Sequence, residues 1–343
     1  MNTENSIWKL LNELATKSGI SEIIINNVDN VYIERDGELI RLNVNFSPED
    51  LVGFCKEVAQ FNKRLFNRDN PILDGLLPDG SRVNIVSSAY TASSPAITIR
   101  KYLRNISSFE DSPNSFGMNP KIASFLKALV ASRQNIMISG GTSSGKTTLL
   151  NMLMQELGLT ERIVTIEDVK ELQFQAPNTV RLLTANVADS VESPLGTREL
   201  LKNCLRMRPD RIIIGEVRGA EAFDLLQAMN TGHQGSMCTI HANSPSESLS
   251  RLENLFLFAG FDVPLRAVRR QISNALDFLI QLDRNSEGVR VIKKISEVNN
   301  MEGENVLLQD IVVYEENGPD FTGLVPSRFK ELVRSGLSPD FFV

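Results

Sequence analysis

The residues best suited to chemistry begin with Gly140-Gly141-Thr142-Ser143-Ser144-Gly145-Lys146-Thr147, which satisfies G-x-x-x-x-G-K-[ST] and runs on into Thr148. In such a loop Gly140 and Gly145 let the backbone wrap a phosphate closely. The N–H groups opening the next helix point at that phosphate, and Lys146 reaches the terminal phosphates of a nucleotide. The Thr147 hydroxyl is placed to ligate Mg2+. These residue types in this order predict a site for a nucleoside triphosphate, ATP, with Mg2+ as its companion ion.

Hydrolysis needs more than a cradle: a group to orient or deprotonate water, and groups to stabilise charge on the transferring phosphoryl. Ile163-Val164-Thr165-Ile166 is an apolar run that ends in Glu167-Asp168, with Glu171 close behind, and Ile212-Ile213-Ile214-Gly215 delivers Glu216 in the same way. Acids at the carboxyl ends of parallel strands sit where open α/β sheets bind ligands. Glu216 is the candidate general base, and Glu167 the second carboxylate, polarising water or supporting Mg2+; the two roles are interchangeable at this level. Gly215 stands where many phosphate-loop proteins carry the aspartate of the metal shell, so the metal arrangement stays open.

Both histidines of the chain, His233 and His241, fall in the polar segment Asn230–Asn243. Their imidazoles are candidates to hydrogen-bond the γ-phosphate or to report its loss. With Cys238 they match no zinc spacing. Arg82, Arg100, Arg104, Arg206, Arg208 and Arg218 are the candidate charge stabilisers. Arg218, two residues past Glu216, must share its neighbourhood, whereas Arg82 and Arg100 reach a phosphate only if the first module packs over a site, a neighbouring subunit's included.

The elements that must position these groups follow from periodicity. Ile7, Leu10, Leu11 and Leu14 have helical spacing. Glu22–Asn26, Val31–Glu34 and Leu39–Val44 read as strands, the last two joined by an Asp36-Gly37 hairpin signal. Ser47-Pro48-Glu49-Asp50 opens a helix expected to reach about Leu65. Pro78-Asp79-Gly80 is a turn, and Arg82–Val86 and Ala96–Lys101 are strands. Positions 1–106 therefore predict a small α+β domain. The polar stretch 107–119 reads as a linker, and 120–343 as an α/β domain whose strand–helix alternation predicts a mainly parallel sheet with helices on both faces. The stretch after about Arg290 carries little signal.

Length and composition agree. The 343 residues suit two domains, and 42% hydrophobic with 23% charged residues is globular usage. The balance of 36 basic against 42 acidic residues, net −6, argues against nucleic acid as a partner gripped through its phosphates. Three scattered cysteines suggest neither a disulfide framework nor a thiolate zinc site and point to a reducing compartment. No apolar run approaches the roughly 18 residues needed to span a bilayer, so the expectation is a cytoplasmic protein without a transmembrane segment.

Taken together, the four polar boxes resemble the secretion and type IV pilus superfamily of ATPases. Gly140–Thr148 is similar to its Walker A box, Thr165–Asp168 to its acidic box, Arg208–Gly219 to its Walker B region and Thr231–Pro245 to its histidine box. Gly215 ahead of Glu216 is normal there. Leu76–Asn84 and Thr98–Lys101 look like the first module of the Tad (Flp) pilus assembly ATPases, the CpaF class, with the type IV secretion and conjugation traffic ATPases close behind. The resemblance covers roughly residues 20 to 285. It implies a RecA-like ATPase domain, a homohexameric ring at the cytoplasmic side of the inner membrane and ATP held between the two domains. It also implies arginines of the first module completing the sites, Arg82 and Arg100 being the matching positions, and a membrane platform protein as partner. The chain departs from the pattern in two ways: the long N-terminal extension of many Tad ATPases is absent, and Ser143 stands where glycine is frequent.

Overall fold

The computed structural model describes residues 6–35, 37–101, 108–174, 176–184, 195–260, 262–316 and 318–343. Asp36 of the hairpin signal, Arg104 and position 107 of the expected linker lie outside them. The chain divides into two compact units, Met1–Asn105 and Val187–Glu192 in one, Ile106–Asn186 and Ser193–Val343 in the other.

In the first unit, helices α1 (Ser6–Ala15) and α2 (Pro48–Phe61) accompany strands β1 (Ile20–Ile25), β2 (Val31–Arg35), β3 (Glu38–Leu42), β4 (Ile72–Leu76), β5 (Arg82–Val86) and β6 (Ala96–Arg100). Among the described residues these strands form one antiparallel sheet in the order β3-β2-β1-β6-β5-β4. Alternation explains it: Ile23 and Ile25, Val83 and Ile85, and Ile97 and Ile99 are buried on one face, against Leu14, Leu51, Phe54 and Val58 of the helices. The helix start at Ser47 is a full capping box with Asp50. The helix ends at Phe61, short of Leu65, because Lys63 takes φ 53° and the Asn62 side chain turns to the backbone of Leu76. That contact also fastens β4, a strand that no pattern in the sequence announces.

The second unit begins earlier than its first predicted helix. Phe109, Phe116 and Met118, inside the stretch expected to be a linker, are buried in its core. Their apolar side chains have somewhere to go, and polar composition around them hid it. After a 3-10 turn at Ser115–Gly117 come α3 (Pro120–Ala131), β7 (Ile136–Gly140), α4 (Lys146–Gln155), β8 (Ile163–Glu167), β9 (Thr179–Leu183), α5 (Thr197–Cys204), β10 (Arg211–Ile214), α6 (Glu221–Asn230), β11 (Met237–Ile240), α7 (Pro245–Leu257) and α8 (Leu265–Ala275). The remaining elements are β12 (Phe278–Arg284), β13 (Arg290–Glu302), β14 (Asn305–Glu315), β15 (Gly318–Phe321) and α9 (Phe329–Arg334).

Among the described residues one sheet runs β15-β14-β13-β12-β7-β11-β10-β8-β9. From β12 to β9 every pairing is parallel; from β12 outward through β15 every pairing is antiparallel. Inside the edge strand β9, the parallel strands β7, β8, β10 and β11 are buried on both faces. Ile136 and Ile138 join the cluster of Leu126, Leu149 and Leu153, while Met137 joins that of Leu225, Leu252 and Ile272. Helices α3 and α4 thus cover one face and α6 to α8 the other. The phosphate-loop strand flanked by β11 and β12, with the acid-bearing β10 and β8 beyond, is a RecA-like α/β fold. The weakly patterned C-terminal stretch supplies its antiparallel extension. It ends in an aromatic cluster in which Phe341 and Phe342 lie 6.2 and 6.1 Å, centroid to centroid, from the fully buried Phe125.

Candidate active site

The parallel register brings the carboxyl ends of β7, β8, β10 and β11 to one rim. Ile240 pairs with Ser139, and Ile214 with both Cys238 and Ile166, so Gly140, Glu167, Glu216 and His241 emerge side by side. At this rim Gly145 caps α4 with φ 95° and no side-chain hydrogen bond, leaving the amides at the helix start to the loop. Thr147 and Thr148 are the second and third residues of that helix, and Thr142 lies exposed in the loop. The cradle is real in the steric sense. A Cβ on Gly140 would fall 2.4 Å from Ser144 Oγ and 2.8 Å from the Leu282 carbonyl oxygen, and one on Gly145 2.7 Å from Phe116 Cε1. Gly141 has open space around it. Ser143, at φ 58°, occupies the left-handed region that glycine favours.

Lys146 is nearly buried. Its ammonium donates to the carbonyls of Gly140 and Gly141 at 3.0 and 2.8 Å and lies 3.5 Å from His241 Nδ1. The other imidazole nitrogen, Nε2, is 3.3 Å from Glu216 Oε1, and Glu216 Oε2 accepts from Arg218 Nη2 at 2.6 Å. Arg218 Nη1 reaches Asp168 at 3.2 Å. A continuous chain of groups therefore joins the phosphate-loop lysine to acids at the ends of both strands. Lys146 as donor to Nδ1 leaves the proton on Nε2, directed at Glu216.

The electrostatics follow from this chain. Burial pushes the Glu216 carboxyl upward, but the Arg218 hydrogen bond and the charges of Arg218, His241 and Lys146 outweigh it and hold the pKa below the ordinary value. Burial, then the Lys146 charge, lowers that of His241 and keeps it neutral. Glu167 goes the other way. Its desolvation dominates and raises its pKa, although its Oε1 accepts backbone N–H bonds from Glu171 and Leu172 at 2.9 and 2.7 Å. Glu167 Oε2 is buried with no hydrogen-bond partner among the described residues.

For Mg2+, the oxygen set fits. The Thr147 hydroxyl, 3.3 Å from Glu171, and the orphaned Glu167 oxygen are hard donors, and no group of three His, Cys, Asp or Glu able to hold a metal occurs among the described residues. Oxygen donors of this kind are what Mg2+ takes from a protein, one or two groups beside substrate phosphates and water.

Not every candidate is gathered here. His233 precedes β11 at the opposite, amino-terminal rim, where its Nδ1 meets the carbonyl of Ala228 at 3.2 Å and its own carbonyl accepts from Ser236 Oγ. It sits near His241 in sequence, and the intervening strand separates them. Arg206 and Arg208 precede β10 at the same far rim. Arg82 and Arg100 belong to the first unit, where they face each other directly across β5 and β6. Two arginines that sequence reasoning misses join the loop: Arg290 Nε and Arg284 Nη2 both donate to the Ser143 carbonyl, at 3.0 and 3.3 Å. Nothing in their spacing singles them out.

Among known proteins, the profile described as "Type II/IV secretion system protein" matches residues 4–306. The conjugal transfer protein TrbB of Rhizobium radiobacter is 34% identical over 287 residues, 83% of this chain and 84% of that one. The type IV secretion system protein VirB11 of Brucella suis biovar 1 is 30% identical over 291 residues, 77% and 81% of the two chains. Among solved structures, the pilus retraction motor PilT with bound ADP superposes with TM-score 0.62 at 21% identity, over 88% of this chain and 83% of that one. The ATPase DotB of Yersinia pseudotuberculosis does so with TM-score 0.64 at 17% identity, over 87% and 80%. With a profile match over most of its length and relatives at the 30% level or above on the same span, the chain belongs to the type II/IV secretion system protein family.

Proposed function

We propose that this protein binds ATP with Mg2+ on the phosphate loop and hydrolyses it to drive a secretion or pilus machine. The observation that carries the reading is the chain Lys146–His241–Glu216–Arg218, which sets a base candidate beside the phosphate-loop lysine with its protonation state already tuned.

In this reading the α4 amides, the loop Gly140–Thr148 and Lys146 hold the phosphates, and Thr147 with Glu167 holds Mg2+. The ion, when bound, neutralises charge on the β- and γ-phosphates. Glu216, kept ionised by Arg218, takes the proton of the attacking water. Neutral His241 directs its Nε2–H at Glu216 and senses Lys146 as that side chain leaves the Gly140 and Gly141 carbonyls for a phosphate. Glu167 polarises water or supports the ion. Arg82 and Arg100, paired across their hairpin, stabilise the transferring charge, supplied by a neighbouring subunit of a homohexamer. His233 has no part in this chemistry.

No described helix is long and apolar enough to cross a membrane, which suits a motor that works on the cytoplasmic side of the inner membrane through a platform protein. The Leu76–Asn84 and Thr98–Lys101 segments support a Tad (Flp)-type pilus; a relative named for conjugal transfer supports a type IV secretion or conjugation machine. The platform protein that co-purifies with the chain decides between them.

The test of the enzymatic reading is steady-state ATP hydrolysis per protomer against protein concentration, with Lys146→Ala as the background. Turnover that rises with assembly and is absent from Lys146→Ala supports a ring motor. Wild-type turnover no higher than Lys146→Ala at any concentration overturns it and leaves a nucleotide-gated assembly protein.

A further inference from the structure

Strand β12 runs beside the phosphate-loop strand, Leu282 pairing with Gly140, and its next turn carries the chain back as β13. The hairpin closes on Arg284 and Arg290, which face each other directly. Both guanidinium groups converge on one acceptor, the carbonyl of Ser143, Arg290 through Nε at 3.0 Å and Arg284 through Nη2 at 3.3 Å. Arg284 Nη1 is held in turn by the Gly288 carbonyl at 2.9 Å.

The residue they grip is strained. Ser143 has φ 58°, in the left-handed region where a side chain crowds the backbone and which glycine enters more readily. On the other side of the loop the left-handed Gly145 is walled by the Arg290 side chain, whose Cδ would lie 3.1 Å from an added Cβ, and by the ring of Phe116. Successive N–H groups of a loop that mixes right- and left-handed residues form an anion-binding concavity, and Ser143 and Gly145 are the left-handed members here. With the Ser143 carbonyl engaged by cations outside the concavity, its peptide plane is fixed.

We propose that Arg284 and Arg290 are positioning residues of the phosphate site. They hold the left-handed geometry at Ser143 from the β12–β13 hairpin, outside the loop itself. The inference rests on the nucleotide-site reading above, and it gives the C-terminal extension of the sheet a task in ligand binding. A structural role alone would make the pair favourable to stability; a phosphate-positioning role makes it favourable chiefly to nucleotide affinity.

The experiment measures ADP affinity by calorimetry, with thermal unfolding of the nucleotide-free protein alongside, for wild type, Lys146→Ala, Arg290→Ala, Arg290→Lys and Arg290→Ala combined with Ser143→Gly. The expected result is a loss of about tenfold in ADP affinity for Arg290→Ala and partial recovery in Arg290→Lys. A smaller loss is expected in the double variant, because the Ser143→Gly change lets the backbone adopt the left-handed conformation unaided, with the unfolding midpoint little changed throughout. Unchanged ADP affinity in Arg290→Ala while Lys146→Ala loses it overturns the positioning role and leaves the nucleotide site standing. A fall in affinity that only tracks a lowered unfolding midpoint, unrelieved by Ser143→Gly, also overturns it. Absence of ADP binding by the wild type overturns the nucleotide-site reading, and this inference with it.

Discussion

The imidazole of His241 lies between two functional groups, its Nε2 3.3 Å from Glu216 Oε1 and its Nδ1 3.5 Å from Lys146 Nζ. A neutral ring can accept from the ammonium and donate to the carboxylate at once; a protonated one cannot. His241→Ala is therefore expected to lower ATP turnover by one to two orders of magnitude, roughly the low end of what a positioned proton-transfer group contributes. His233→Ala, on the far rim, leaves turnover within about twofold. Steady-state hydrolysis of both variants checks the assignment, and equal losses would contradict it.

Glu216→Gln removes the base and keeps the shape. Turnover is expected to fall about 10²- to 10⁴-fold, while ATP affinity stays near the wild-type value. Fluorescent-nucleotide titration beside the hydrolysis assay separates the two, and wild-type hydrolysis by this variant would reassign the base to Glu167.

Acid should weaken this site for two reasons of the same sign. Both Glu216 and His241 have pKa values lowered by folding, so each contributes stability that is present above its unfolded value and is lost as pH falls through the folded one. Glu167, raised by burial, runs opposite: its contribution is present at low pH and is lost as pH rises through its folded value. The histidine's loss sets in as pH falls below its ordinary value of about 6.5, within the span from pH 7 to pH 5. His241→Asn is expected to flatten the fall of stability over that window, as read by denaturant titration at each pH.

Two glycines of the loop should respond differently to alanine. Gly145→Ala meets a φ of 95° and the Phe116 ring at 2.7 Å, and it is expected to cost about 2–4 kcal/mol from backbone strain plus overlap. Gly141→Ala meets open space and should change stability by less than about 0.5 kcal/mol. Chemical denaturation of the two variants provides the comparison.

The C-terminal aromatic cluster is expected to be worth more than its position suggests. Phe341 packs against Phe125, Phe321 and Phe342, and Lys121 lies 5.2 Å from its ring centroid. Phe341→Ala should destabilise the second unit by about 2 kcal/mol, since each aromatic pair contributes about 0.5–1.5 kcal/mol beyond its buried area. A shift of the denaturation midpoint without change in nucleotide affinity is the expected signature.

Some of this was legible in residue order alone, for a physical reason. A phosphate loop is a local structure: strand, tight glycine turn and helix start lie within 21 consecutive residues, Asn135–Gln155, and each is dictated by neighbours in sequence. The same holds for Glu167 and Glu216, each delivered by the apolar strand before it, and for the strands of the first unit other than β4. Polar composition misled at Phe109 and Phe116, because a few large apolar side chains suffice to bury a loop that otherwise looks like a linker.

What only the tertiary structure decided depends on register between distant segments. His233 and His241 are eight positions apart, yet the strand between them sends one to each rim of the sheet. Arg218 keeps more than half of its side chain in solvent, yet its bridging of Glu216 and Asp168 requires β8 and β10 to be adjacent and parallel. Arg284 and Arg290 carry no motif, and their meeting at Ser143, more than a hundred residues earlier, exists only because β12 pairs with β7 and β13 folds back on β12. Local steric rules place the loop and the strand-end acids; long-range strand pairing, which no window of sequence contains, chooses their company.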